Sequence, residues 1–333
     1  MADRQPAVQD AALLLSLNFG FARARALATA IELGVFTALA PRARAAGELA
    51  STLGCSGRGT ERLLDALAGM DLLRRDGVAY ANTPVSAAYL VAGTRSYLGP
   101  HLADVMDQWD RWSELTDVVR SGRSAHDLGV LGRRARNSGM FAQAFPLTFP
   151  TAVAVAERAK VPDRGDVLDL AAGGGEWAIA TAVRHRETRV VAHDEPELLE
   201  ICRERVADFG LTERFSFVPA DFRRPPFPDA SFDLVILAQL GRFVGPLAAE
   251  RLVRQAARLA RPGGCVTVAD VMKGDTGAPR AAGSMIDLSL LVNTLDGELL
   301  ERSAYRSWLA GAGLSSSAEF EEGPVSVLVF ERF

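Results

Sequence analysis

Lysine is nearly absent from this chain of 333 residues: Lys160 and Lys273 are the only two, and arginine supplies the rest of its 37 basic side chains. Set against 41 acidic residues, this leaves a formal charge of -4, which gives no electrostatic case for a nucleic-acid partner. The skew towards arginine is read as genome composition. Cysteine is scarce too. Cys55, Cys202 and Cys265 are scattered, with no Cys-x-x-Cys pair and no nearby histidine, which excludes a zinc site and a disulfide framework and points to a reducing, cytoplasmic setting. A long apolar run is also lacking: Ala11 to Phe21 is followed at once by Arg23 and Arg25, too short and too charged for a bilayer span or a signal sequence, so no membrane partner is expected. What remains is 48% hydrophobic and 23% charged, the balance of a soluble globular enzyme, at a length that calls for two domains.

The first hundred residues read as helical. Leu14, Leu17, Phe21, Ala24, Leu27, Ala28 and Ile31 recur mostly at three- and four-residue steps, so a helix is expected over 11–33, with a short further turn from Val35 to Leu39. It is apolar around more than one face, which asks for a partner such as a second subunit. Helices over 45–53 and 60–70, then strands 72–75 and 78–81 joined by the favoured Asp76-Gly77 turn, spell a winged helix. Residues 1–100 carry ten Arg against eight Asp plus Glu, so no basic recognition face is present and DNA binding is disfavoured. Residues 101–160 read as linking helices. They carry an apolar stripe of Met106, Trp109, Trp112, Leu115 and Val119, and then Phe141, Phe145, Phe149 and Val153 at four-residue steps; these aromatics read first as core and second as a cleft wall. From 161 to 333 short apolar runs alternate with helical segments, which predicts an α/β, doubly wound, mostly parallel sheet with ligands at the carboxyl ends of its strands.

Asp166 to Trp177 is the centre of that second half. A strand through Val167, Leu168 and Leu170 ends in Gly173, Gly174 and Gly175 and opens into a helix, which lays backbone against a ligand and aims the helix dipole at it. Gly173 to Ala178 satisfies G-x-G-x-x-G/A. Asp169, however, would repel a pyrophosphate and welcome an ammonium group, so the ligand is expected to carry a cation. Asp194, nineteen residues after Gly175, suits a ribose, and Asp221 with Phe222 suits an adenine.

These stretches, Val167 to Gly175, Asp194, Pro219 to Phe222 and Arg261 to Gly264, resemble the successive motifs of class I S-adenosylmethionine-dependent methyltransferases. From Phe19 to Pro84, and again over Ser303 to Gly313 and Gly323 to Val327, the chain resembles the small-molecule O-methyltransferases with an N-terminal winged-helix dimerisation domain. The resemblance implies a homodimer, a small-molecule acceptor, no metal, S-adenosylmethionine as cofactor and S-adenosylhomocysteine as product. It sets Asp169 by the methionine amino group, Ala171, Gly173 and Gly175 along its backbone, Asp194 on the ribose, and Asp221 and Phe222 on the adenine. Asp287 and Asn293 fall in a region that lines the substrate pocket in the family, with Tyr305 a weaker candidate, and Phe141 and Phe145 would join them on the cleft-wall reading of the linking helices.

One departure stands out. Where the family carries its proton-accepting His, this chain has Gly241, followed by Arg242; where it carries the supporting carboxylate, the chain has Leu299, flanked by Glu298 and Glu301. Of the four histidines, His185 and His193 read as capping or solvated residues, which leaves His101 and His126, with Arg242, as the catalytic candidates. Methyl transfer by proximity and orientation, without that base, is the expected activity, on oxygen or an activated carbon. The alternatives are a non-methylating use of the same cofactor, such as cyclisation, decarboxylation or hydroxylation, and, remotely, a DNA-binding regulator.

Overall fold

The computed structural model describes residues 8–106, 108–126, 144–158, 161, 164–274 and 281–333, in two compact units, 1–107 and 108–333. The first unit opens with helices Val8–Asn18 and Gly20–Glu32, separated only at Phe19. Then come β1 (Arg44–Ala45), helices Ala46–Leu53 and Gly57–Gly69, β2 (Leu73–Asp76) and β3 (Ala79–Asn82). The hairpin forms as its Asp-Gly turn predicts, with Gly77 at φ 58°, a left-handed value that L side chains resist. A third strand, β1, pairs antiparallel with β3 to give the order β1-β3-β2. At two residues β1 is too short to leave a pattern in the sequence. Leu49, Leu64, Leu67, Leu73 and Tyr80 meet Phe36 in the core. The Tyr80 hydroxyl donates to Asp65 at 2.6 Å, and Asn82 Nδ2 donates to the Phe36 carbonyl at 2.8 Å.

Of the leading helices, Gly20–Glu32 joins that core through Ala30, Leu27 and Ile31, whereas the apolar residues from Leu13 to Phe21 stand outside it. Leu13, Leu14, Leu15, Leu17, Phe19 and Phe21 expose between 59% and 68% of their surface. Because the helical run continues past Phe21, Ala11–Glu32 is long and apolar enough to cross a membrane by length and composition, which corrects the exclusion drawn from its first eleven residues alone.

In the second unit β4 (Asp166–Leu170), β5 (Arg189–Asp194), β6 (Phe215–Pro219), β7 (Phe232–Ala238) and β8 (Ala260–Asp270) run parallel. β10 (Val325–Arg332) runs antiparallel to β8, and β9 (Leu314–Glu322) pairs antiparallel with β10 at the sheet edge, giving the order β6-β5-β4-β7-β8-β10-β9. Strands buried on both faces are continuously apolar. In β7, Leu234, Ile236 and Ala238 join the core under helices Phe145–Ala156 and Glu176–Arg184, while Val235 and Leu237 join the opposite core under Pro246–Leu259 and Arg302–Gly311. β9 escapes a sequence reading because Ser315, Ser316 and Ser317 sit on an edge strand, where polar side chains are tolerated. The apolar stripe proposed for the linking helices does not form a buried face: Trp109 and Val119 are exposed, and Val118 is buried instead.

At the amino ends of the central strands Arg261 bridges Asp166 at 2.9 Å and Asp233 at 2.7 Å, while Asp233 accepts the Asp166 amide. Among the described residues no such ion-pair clamp joins the carboxyl ends of β4 and β7. Order changes direction at β4, with β5 on one side and β7 on the other, and ligands of such sheets lie in the crevice there.

Candidate functional site

The turn after β4 is stitched to β5. The amides of Ala171 and Ala172 both donate to the His193 carbonyl, at 2.9 and 3.1 Å, and the Gly173 amide donates to Asp194 Oδ2 at 2.8 Å. The other Asp194 oxygen accepts the Glu195 amide at 2.7 Å. Gly175 has φ 83°, and a Cβ there would stand 2.6 Å from Cys202 Sγ, so helix Pro196–Asp208 packs directly on its backbone. Above Gly173, by contrast, a Cβ would meet nothing within 4 Å, so the turn opens to solvent on that side.

Below the opening lie buried carboxylates. Asp169 accepts the Ala178 amide at 3.1 Å. Burial, reinforced by the charges of Glu176 and Asp194, pushes its pKa up to about 8. Burial likewise raises Glu176 to about 7 and Asp194 to about 6. The Arg205 charge offsets only part of the rise at Glu176; carboxylates desolvated in this way hold their protons more tightly, and a cationic ligand would favour their ionised form. Ammonium and sulfonium groups fit this lining; a pyrophosphate does not. Glu176 was not legible as a site residue, since an acid in the first turn of a helix is ordinary. Asp169, Ala171, Gly173, Gly175 and Asp194 thus come together as the sequence implies.

Asp221 follows β6, where the Ala220 amide donates to the Asp194 carbonyl at 3.1 Å. Its Oδ1 accepts from the amide and Nε of Arg223, at 2.9 and 2.8 Å, and that guanidinium holds the carboxyl below its usual range. Phe222 is packed in the core with Leu168, Leu170 and Leu240. His193 is fully buried, with Nδ1 against the Val218 carbonyl at 2.8 Å, and His185 Nε2 lies 3.2 Å from the Ala156 carbonyl. Both are structural, in keeping with the sequence reading of neither as a base, although His193 is buried rather than solvated.

Beside the turn, at the end of β7, Gln239 has φ 57° and Ala171, at the end of β4, has φ 66°: the two strand ends that flank the crevice both hold residues in the left-handed region. Gly241 follows. A Cβ there would lie 1.8 Å from the Tyr305 hydroxyl and 3.4 Å from Asp270 Oδ2. Asp270, buried at the end of β8, pairs with Arg242 Nη1 and accepts the Val271 amide at 2.9 Å, the Arg242 amide at 3.2 Å and the Tyr305 hydroxyl at 3.3 Å. The Arg242 guanidinium also lies 4.6 Å from the Phe243 ring centroid. Arg242 is therefore tied into the fold.

The other candidates are similarly engaged. Asp287 accepts the Leu299 amide at 2.7 Å and meets Lys273 Nζ at 3.2 Å. Asn293 donates to the Ser289 carbonyl at 2.9 Å and accepts from Arg111 at 3.2 Å. Phe145 belongs to the core, stacked on Phe149 with centroids 4.7 Å apart, so the core reading of this ring holds. Phe141 lies outside the described residues, and His101 lies on helix Gly99–Met106 of the first unit. His126 Nε2 is 3.0 Å from Glu114, and its amide reaches Ser124 Oγ, which donates to the Val292 carbonyl.

A family model described as an O-methyltransferase dimerisation domain matches residues 15–92, and one described as a methyltransferase domain matches residues 167–264. Acetylserotonin O-methyltransferase of Mus musculus is 30% identical over 332 residues, covering 92% of this chain and 84% of its own. The 3-hydroxy-5-methyl-1-naphthoate 3-O-methyltransferase of Streptomyces sahachiroi is 28% identical, covering 91% and 89%. The solved structure of an O-methyltransferase family protein from Burkholderia thailandensis matches with a TM-score of 0.86 at 25% identity, over 99% of both chains.

Two outcomes follow from the turn. Ala171 holds a conformation that costs an L residue roughly 1–2 kcal/mol, partly offset in a glycine variant by a more flexible unfolded chain, so Ala171→Gly should stabilise the protein by about 0.5–1 kcal/mol in denaturant melts. Asp169, Glu176 and Asp194 bind protons more tightly folded than unfolded. The stability they contribute is complete below the ordinary carboxylate range near pH ~4 and is lost as pH rises through about 6, 7 and 8. Thermal melts of the ligand-free protein should show the midpoint falling across that window, and Asp169→Asn should flatten the fall; a midpoint that rises would contradict the burial argument.

Proposed function

The chain belongs to the S-adenosylmethionine-dependent O-methyltransferases, and from that premise we propose that its glycine turn holds the cofactor and that a small aromatic or enolic hydroxyl beside it receives the methyl group. The observation that carries the reading is the set of buried carboxylates beneath a turn open on its ligand side. Asp169 takes the methionine ammonium, with Glu176 adding negative potential. Ala171, Gly173 and Gly175 lie along the methionine, Asp194 accepts the ribose hydroxyls, and Asp221 faces the adenine amine with Phe222 beneath it. When bound, the cofactor supplies an electrophilic methyl group on a positively charged sulfur. The protein's part is to orient the acceptor and exclude water, since an in-line approach accounts for much of the rate.

The acceptor class is supported by relatives of Streptomyces named for methylation of a hydroxynaphthoate and of a tetracenomycin polyketide. Oxygen is the preferred acceptor atom, an activated carbon the second. These relatives are methyltransferases by name, which lends no support to cyclisation, decarboxylation or hydroxylation. A regulator reading has little to rest on, because residues 1–100 are nearly neutral. The helices and hairpin of the first unit support its reading as a winged-helix dimerisation domain, with residues 101–160 as linking helices that reach the acceptor. A second copy of the chain is the partner that suits the exposed leucines of the leading helices, and three free cysteines suit a reducing cytoplasm.

Calorimetry with S-adenosylmethionine tests the cofactor site. Wild type should bind, and Asp194→Asn should bind about 10–100-fold more weakly, because charge-assisted hydrogen bonds to the ribose are lost. Its melting midpoint should also fall, because the amide has one oxygen to offer where the carboxylate accepts both the Gly173 and Glu195 amides, so binding is compared at a temperature where circular dichroism shows both proteins folded. Equal affinity for the two proteins would remove Asp194 from the site. For the partner, light scattering should give a dimer mass for wild type and a monomer mass for Leu14→Glu with Leu17→Glu; an unchanged mass would place the interface elsewhere.

A further inference from the structure

The crevice beside the glycine turn is bordered, at the carboxyl ends of β7 and β8, by polar groups already engaged with one another. Asp270 has four donors on its two oxygens, one of them a guanidinium. Arg242 is a cation already paired. Tyr305, buried on helix Arg302–Gly311 and edge-on to Trp308 at 5.3 Å, is held well above its ordinary pKa by burial and by Asp270, so it serves as a donor only. Its hydroxyl stands where any side chain at position 241 would begin. A base cannot be placed there without displacing a buried ring and breaking a hydrogen bond to a charged group, which costs more than breaking one between neutral groups.

We infer that Gly241 and Tyr305 form a locked pair that seals this side of the crevice against proton transfer, so that the chain methylates hydroxyl acceptors already ionised in water near neutral pH: acidic phenols, enols of β-dicarbonyl compounds and hydroxyquinones. The inference rests on the methyl-transfer reading above and narrows its acceptor. In the step itself the acceptor oxyanion forms a bond to the methyl carbon while the carbon–sulfur bond breaks. That electron pair stays on sulfur, which becomes a neutral thioether, and no proton leaves within the site because the acceptor gave it to solvent beforehand. A positioned base typically contributes about 10²–10⁴-fold, and an acceptor that arrives as its anion does not require that contribution.

The full-length protein with S-adenosylmethionine is assayed by mass on a series of phenols running from nitro- through cyano- to alkyl-substituted, with kcat/KM measured against pH. The expected profile rises about tenfold per pH unit and levels at each phenol's own pKa, so the break moves with the acceptor. With S-adenosylmethionine saturating at every pH, so that the titration of Asp169, Glu176 and Asp194 does not enter, a break fixed at one pH for every phenol would reveal an enzyme base and would overturn the inference. So would transfer to none of the series by protein that binds S-adenosylmethionine. Failure to bind S-adenosylmethionine would instead sink the underlying reading. Thermal melts test the lock without turnover. Gly241→Ala should lower the midpoint by roughly 2–10 °C through overpacking, and the same change made on a Tyr305→Ala background should cost far less. Additive losses would show that the two positions do not compete for space, and the lock would fall.

Discussion

Everything at the ligand side of the sheet depends on how the turn after β4 is fastened to β5. The His193 carbonyl takes two amides of the turn and the Asp194 carboxylate takes a third, so a single strand end fixes the conformation of a segment that has little side chain of its own. Gly175 then lets helix Pro196–Asp208 approach until Cys202 touches the backbone. Once these contacts are set, Asp169 and Glu176 have nowhere to go but beneath the turn. Their burial is a consequence of the stitch, and their wish for a cation is a consequence of their burial.

The strain at Ala171 belongs to the same device. A glycine would relax it, yet the alanine amide still reaches His193 at φ 66°, held by the hydrogen bonds around it. Gln239 repeats the conformation at the end of the neighbouring β7, where its amide donates to the Ala269 carbonyl at 2.8 Å. Strained backbone on both strand ends that flank a crevice is what over-determined surroundings can sustain, and such residues gather where a ligand is bound.

Much of this was legible in the sequence for a local reason. The strand, turn and helix from Asp166 to Arg184, the Asp76-Gly77 hairpin and the parallel strands announce themselves through neighbours in the chain: apolar runs, glycine triplets, turn dipeptides. What escaped depends on partners far along it. Tyr305 could be placed only as a weak pocket candidate, because nothing near it in sequence says that its hydroxyl fills the space above Gly241. Asp287 and Asn293 read as pocket residues from their helix, but the Leu299 amide and Arg111, which engage them, come from other segments. Glu176 looked like an ordinary helix-start acid until its burial was seen, and β9 is disguised by its serines.

Two carboxylate centres therefore face each other in character across neighbouring strand ends. Beneath the glycine turn, no cation among the described residues is hydrogen-bonded to Asp169 or Asp194, so an arriving cation would favour their ionised form. At Asp270 the opposite arrangement holds: Arg242 neutralises the charge, backbone amides take the remaining lone pairs, and Tyr305 closes the space above. Removing either partner of a buried ion pair of this kind leaves the other desolvated and alone, which is costly. The first centre is arranged to respond to a ligand and the second to remain unchanged by one. That division separates binding from proton chemistry. The proposed absence of a base at position 241 fits this division, because none of the hydrogen bonds that fasten the glycine turn runs through Gly241.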